Sequence, residues 1–192
     1  MLHFTTKPLR FLPLIALAAG MLTTALYSSA SRADSPGDKK VGDIRLGVYY
    51  SGSSGIRQTF TSTVASAGLD YIVGETVGIS RSVIGVDYMQ RGGGGSSLQI
   101  IPVTISEQYY HTLGGTGVTP YGEAGVGGYF VKINDQNNEN LTSSHSETAL
   151  GGFIGGGIDL NSSLFLDLRY HLIGTIKGDD PSGYEFTAGI RF

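Results

Sequence analysis

The sequence predicts an all-β fold: an eight-stranded antiparallel transmembrane up-and-down β-barrel that follows a cleaved signal peptide. Three observations predict it. The N-terminus carries an export signal, eight later segments alternate with period two, and the polar connections between them are long and short in turn.

The export signal comes first. Lys7 and Arg10 form a short positive region, and Phe11 to Leu26 is mostly apolar. Ser31 and Ala33 stand where a signal peptidase reads small residues, so cleavage is expected between Ala33 and Asp34, with Ala30 as a second option. A membrane-anchor helix fits less well, because Pro13 and Gly20 interrupt the apolar run and no stop-transfer flank follows. The expected organisation is a signal peptide at 1–33, a short periplasmic segment at 34–41 and a barrel at 42–192.

Cleavage removes Lys7, Arg10 and Arg32 and no acid, taking the formal charge from −3 to about −6. That sign argues against a nucleic-acid partner, which requires clustered positive charge. Cysteine is absent, which rules out disulfides and thiolate metal sites. No cofactor is expected. The chain beyond the signal has no apolar run long enough for a membrane helix. Glycine, at 30 residues, is far above the usual share of about 7%.

The eight segments follow in order. Near Gly42–Tyr50, Ile44, Leu46, Val48 and Tyr50 oppose Asp43, Arg45, Gly47 and Tyr49. Near Ala65–Glu75, Leu69, Tyr71 and Val73 oppose Asp70, and near Arg81–Arg91, Ile84, Val86 and Tyr88 alternate with Gly85 and Asp87. Near Gln99–Tyr110, Ile101, Val103 and Ile105 oppose Pro102, Thr104, Ser106 and Gln108. Near Pro120–Ile133, Ala124, Val126 and Phe130 oppose Tyr121, Glu123 and Tyr129. Near Glu147–Leu160, Leu150, Ile154, Ile158 and Leu160 oppose Phe153, Asp159 and glycines. In Leu164–Leu172, leucines and Tyr170 alternate with Phe165, Asp167, Arg169 and His171. The last, Tyr184–Phe192, sets Tyr184, Phe186, Ala188, Ile190 and Phe192 against Glu185, Thr187, Gly189 and Arg191. Tilted membrane strands need about 9–11 residues in this dyad pattern.

The connections predict the orientation. Ser51–Val64, Gly92–Leu98, Asn134–Ser146 and Ile173–Gly183 are the longer stretches, and Thr76–Ser80, His111–Thr119 and Asn161–Ser163 the shorter ones. Short turns face the periplasm in bacterial barrels, so both termini are expected there and four longer loops outside.

A water-soluble barrel would enclose its apolar residues. Here the opposite face carries Asp43, Arg45, Asp70, Arg81, Asp87, Arg91, Glu123, Asp159, Asp167, Arg169, Glu185 and Arg191, with no lysine. An eight-stranded interior is just filled by side chains, so these groups are expected to pair there as an interior charge network. Gly125, Gly127, Gly151, Gly155 and Gly157 leave room for Tyr121, Tyr129 and Phe153 to lie across it. The expectation is a plug, not a pore.

On Ile101-Pro-Val-Thr-Ile105, Pro120-Tyr-Gly-Glu-Ala-Gly-Val-Gly-Gly-Tyr-Phe130, Leu164-Phe-Leu-Asp-Leu-Arg-Tyr170 and Tyr184 to Phe192, the chain resembles the small outer-membrane β-barrel families: OmpA-like transmembrane domains, Ail/OmpX-type proteins and opacity-type proteins. The resemblance covers Gly42 to Phe192 and implies residence in a Gram-negative outer membrane, among outer-membrane lipids and lipopolysaccharide. It also implies that Tyr184, Phe186, Ala188, Ile190 and Phe192 form the signal read by the outer-membrane assembly machinery. Two departures stand out: no peptidoglycan-binding domain is read after the last strand, and tryptophan is absent. The scaffold hosts several functions, so purpose is expected to lie in the loops and an extracellular ligand that meets them.

Catalytic readings are weaker than structural ones. His145-Ser146-Glu147 holds the residue types of a lipid acyl hydrolase or transferase, the alternative role implied by barrels of this kind. Adjacent strand residues point apart, which works against a triad. Gly92–Gly95 precedes no helix, so a phosphate cradle does not follow. Asp135, Asn137, Asn138, Glu139 and Asn140 lack the spacing of a calcium loop, and Asn140-Leu-Thr142 matches a glycosylation sequon without bacterial meaning. Lys132 is expected on the outer face near lipopolysaccharide phosphates, as a contact or a snorkelling lysine. The expected role is non-enzymatic, structural or surface-interacting, with a narrow channel as a further alternative.

Overall fold

A computed structural model describes residues 40–192 apart from 54–62, 77–78, 94–95, 112–117, 136–142 and 177–179. The signal-peptide reading and most of the 34–41 segment lie outside the described residues. Eight strands follow in chain order: β1 (Gly42–Ser51), β2 (Thr63–Thr76), β3 (Ser80–Gly93), β4 (Ser96–Tyr110), β5 (Thr119–Asp135), β6 (Ser143–Asp159), β7 (Leu164–Ile173) and β8 (Gly183–Arg191). Each pairs antiparallel with its chain neighbour, and β8 returns to β1 through Asp43↔Arg191 to Ser51↔Gly183, closing the barrel.

Closure satisfies the backbone of every strand internally, which frees the outer surface to be apolar. Leu46, Val48, Leu69, Val86, Val103, Val126, Leu150, Ile154, Leu168 and Phe186 all face outward and are exposed, Leu150 at 85%. Their in-strand neighbours Asp43, Arg45, Asp70, Asp87, Glu123, Asp167, Arg169, Glu185 and Arg191 face inward and are buried. Charges inside and hydrocarbon outside is the polarity of a barrel surrounded by lipid.

Both described chain ends share one end of the barrel with the strand ends that join β2 to β3, β4 to β5 and β6 to β7; the strand ends that join β1 to β2, β3 to β4, β5 to β6 and β7 to β8 are at the other. Strand lengths are unequal. β4, β5 and β6 span 15, 17 and 17 residues, whereas β7 and β8 span 10 and 9. This corrects two expected loops. Gly92–Leu98 was expected to be a longer connection, but β3 and β4 run on to leave only 94–95 between them; Asn134–Ser146 likewise shortens to 136–142.

The reason is a reversal of side-chain polarity. Along β4, inward residues change from Gln108, Ser106 and Thr104 to Ile100 and Leu98, while outward ones change from Ile105, Val103 and Ile101 to Gln99 and Ser97. Along β5 the inward face passes from Glu123 to Tyr129 and Val131, and the outward face from Val126 and Phe130 to Lys132 and Asn134. These ends have the alternation of a water-soluble strand, apolar in and polar out, so their polar residues read as loop.

Candidate functional site

The interior is the only place where the described chain concentrates chemistry, and it is built in layers. Glycine makes room for the larger side chains. A Cβ at Gly151 would come within 2.7 Å of Tyr129 Cε2, and one at Gly125 within 2.5 Å of Phe153 Cε1. Tyr121 lies in the same way over Gly157, its in-register partner on β6.

At the level nearest the chain ends, Arg191 is held between two acids, with Nε 2.9 Å from Asp43 Oδ1 and Nη1 2.5 Å from Asp159 Oδ2. Phe165 packs beside that guanidinium, its ring centroid 5.2 Å from Arg191 Cζ. Arg81 donates to the Tyr110 hydroxyl at 2.9 Å and pairs with Glu75 at the rim. The Tyr110 hydroxyl in turn donates to Gln108, whose amide donates to Glu123.

The middle level is one continuous network. Arg45 pairs with Asp70 and with Asp87, its Nη2 2.6 Å from Asp87 Oδ1. Arg169 pairs with Glu123, lies 3.6 Å from Asp70 and so joins the Arg45 group. Its Nε is also 2.8 Å from Asp167 Oδ2, but the N–H points at Glu123, leaving both Asp167 oxygens without a hydrogen-bond donor. Buried ion pairs of this kind owe their stability to good geometry and added hydrogen bonds, since desolvation alone opposes them.

Above this network, His171 bridges Tyr129 and Glu185, with Nδ1 3.1 Å from the Tyr129 hydroxyl and Nε2 3.0 Å from Glu185 Oε2. Tyr49 and Phe153 pack against the imidazole, and the Tyr49 hydroxyl donates to the Pro181 carbonyl. The loop end is then closed by an apolar layer: Val64, Met89, Leu98, Ile100, Val131, Ile173 and Ile176 pack with the two tyrosines, with Ile133 and Ala149 against them.

The ten residues expected in an interior charge network fall into three paired groups: Asp43, Asp159 and Arg191; Arg45, Asp70, Asp87, Glu123, Asp167 and Arg169; and Glu185, which pairs with His171. Of the terminal alternating residues, Tyr184, Phe186, Ala188 and Phe192 are exposed outward. Ile190 instead is buried, flanked in register by Ile44 and Leu164. His145, Ser146 and Glu147 lie consecutively on β6, where neighbouring residues alternate in direction; the side chain of His145 is outside the described residues. Lys132 is exposed on the outward face of β5. The Asn137–Asn140 cluster and the Asn140-Leu-Thr142 sequon lie outside the described residues. Sequence reasoning missed the apolar layer, whose signal is the reversed alternation at the ends of β4 and β5.

The sequence matches no protein-family model and no curated relative. Solved structures do match. The attachment invasion locus protein Ail of Yersinia pestis has 15% identity, covers 80% of this chain and 99% of its own, and superposes with a TM-score of 0.53. Neisserial surface protein A has 16% identity, 78% and 92% coverage and a TM-score of 0.52. The outer membrane enzyme PagL has 16% identity, 78% and 98% coverage and a TM-score of 0.52. With its closed eight-stranded ring, charged interior and apolar exterior, the chain has the fold of the small outer-membrane β-barrels.

Proposed function

We propose that the mature chain resides in the outer membrane of a Gram-negative bacterium and acts through the segments at its loop end, in a structural or surface-interaction role. The observation that carries this reading is the interior. It is occupied by the paired charges and closed by an apolar layer, so the surface left for recognition is outside the barrel. The likeness to Ail and to Neisserial surface protein A supports a surface role, and the expected partners are lipopolysaccharide, other outer-membrane lipids, the assembly machinery and an extracellular ligand.

The polarity reversal gives this reading a geometry. Gln90, Gln99, Lys132 and Ser146 follow one another across β3 to β6 in a single register row, outward and directly beyond Tyr88 and Phe130. Amides, an ammonium and a hydroxyl at the limit of an apolar belt suit the headgroup layer, where lysine meets phosphate. The test is binding to cells or purified envelope components by the full protein and by variants with 52–62 or 136–142 shortened. Loss of binding with an unchanged barrel supports the role; full binding by every shortened variant overturns it.

A second reading has one observation in its favour, that PagL, an enzyme, shares the fold. Lipid A mass spectra with and without expression decide it. A changed acyl pattern that disappears in His145→Ala would replace the surface role with outer-leaflet lipid chemistry.

A further inference from the structure

The outward surface holds a charge that neither the interior nor the loop end uses. A carboxylate facing lipid is tolerated near an interface and opposed within the hydrocarbon, so its position and its partners carry information. Apart from Glu75, which turns to Arg81 at the rim, the outward charges among the described strand residues are Lys132 and Glu107. They stand at opposite ends. Lys132 lies beyond the polarity reversal toward the loop end, whereas Glu107 is three residues before Tyr110, where β4 reaches the chain-end rim.

Glu107 belongs to an outward register row that runs Gly74, Ser82, Glu107, Ala124 across β2 to β5. Ser82 Oγ donates to Glu107 Oε2 at 2.6 Å, which fixes the carboxylate and leaves Oε1 and the serine lone pairs free to accept. The floor around these oxygens is low. A Cβ at Gly74 would stand 3.5 Å from Ser82 Oγ, and one at Gly122, two residues from Ala124, would meet nothing within 4 Å. Gly122 has Tyr109 in register on one side and Gly156 on the other. Tyr109, the next outward residue after Glu107, is 62% exposed.

Among the described residues, no cation of the chain answers this carboxylate. Arg81, adjacent to Ser82, turns instead to Glu75 and Tyr110. The sequence between β2 and β3, between β4 and β5 and between β6 and β7 contains no lysine or arginine. A carboxylate and a hydroxyl that both accept, beside a tyrosine ring at the edge of the belt, suit a primary ammonium: its N–H groups meet the oxygens and its charge meets the ring. We propose that the Glu107–Ser82–Tyr109 surface binds the ammonium headgroup of an ethanolamine-type phospholipid in the leaflet at the chain-end side, with Gly122, Ala124 and Gly156 making room for its glycerol. This rests on the membrane residence proposed above but is independent of what the loops bind.

Native mass spectrometry of the mature chain in detergent supplies the test, with phosphatidylethanolamine, phosphatidylcholine and phosphatidylglycerol of identical acyl chains added in turn at equal concentration. The parent should retain the ethanolamine lipid most. The choline lipid has a cation without N–H groups and the glycerol lipid has no cation, so both should be held more weakly. Glu107→Gln and Gly122→Leu, each shown to be folded by its heat-modifiable gel mobility, should lower ethanolamine-lipid retention by about tenfold, the loss of one charge-assisted contact or of the space beside it. Lys132→Gln, at the other end, should leave it unchanged.

Equal retention of the three lipids by the parent would overturn the site. So would a preference that survives Glu107→Gln in a folded barrel, or an equal loss in Lys132→Gln. A lipid-free dimer that Gly122→Leu separates would also overturn it, because a second copy would then cover this face. Membrane residence is read separately, from insertion of the parent into vesicles. Insertion without headgroup preference sinks the lipid site alone, whereas failure to insert sinks the residence on which it rests.

Discussion

Inside the barrel, single atoms decide what a position tolerates. Gly151 has Leu172 O and Tyr129 Cε2 within 2.7 Å of where a Cβ would stand, whereas Gly128, facing outward, has nothing within 4 Å. Gly151→Val should therefore destabilise the barrel by about 1–3 kcal/mol through overpacking. Gly128→Ala should leave stability unchanged or raise it by up to about 1 kcal/mol, because alanine restricts the unfolded chain. Urea titration of both variants in detergent checks the contrast, and equal losses would contradict the difference in packing. Arg45 offers a larger effect. Its guanidinium is fully buried and pairs with Asp70 and Asp87, so Arg45→Met strands the Asp87 carboxylate and leaves Asp70 with only Arg169, 3.6 Å away. Removing one partner of a buried pair costs about 3–5 kcal/mol. The unfolding midpoint should fall accordingly, and a loss below 1 kcal/mol would show that the network is solvated.

Strands, taken as elements, face two different surroundings along their length. Leu168 lies outward on β7 with Phe186 and Gly156 beside it in register, inside the apolar belt. Gln99 lies outward on β4 beyond the polarity reversal, next to Gln90 and Lys132. An arginine on the lipid face costs about 2–4 kcal/mol at the bilayer midplane and falls to about 0–1 near the interface. Leu168→Arg should impair folding into vesicles by the larger amount, and Gln99→Arg should be nearly neutral. Similar costs for the two would mean that the reversal does not mark the edge of the lipid. The same reversal explains why β3 to β6 looked shorter from the sequence: Ser97, Gln99, Lys132 and Asn134 are strand residues with the outward chemistry of a loop.

For the whole molecule, the prediction is orientation. Both described chain ends share a side with Thr76, Tyr110 and Asp159 at the ends of β2, β4 and β6, whereas Ser51 and Asp135 end β1 and β5 on the other. Protease added to intact cells should cut within 52–62 or 136–142 and spare the opposite connections until the envelope is opened. Cleavage confined to 111–118 in intact cells would invert the molecule. The inequality of strand lengths adds that the β4–β6 side carries the barrel furthest toward the loop end, beyond the short β7 and β8.

The sequence by itself determined the number of strands, their order and the face each residue occupies. A dyad of apolar and charged residues over a strand needs no tertiary information, because successive side chains must point to opposite sides. It also placed Arg45, Arg169 and Arg191 inside with the acids that hold them, since no other location on an apolar barrel suits a charge. Only the tertiary structure decided which arginine meets which acid, for Arg45–Asp87 and Arg191–Asp43 depend on register between distant strands. It likewise decided that β3 to β6 continue past the belt and that an apolar layer closes the loop end. That layer gathers residues from six strands and Ile176, none of which is exceptional alone. Side chains that share a level in a closed barrel are brought together by closure, and closure leaves no mark on any single segment.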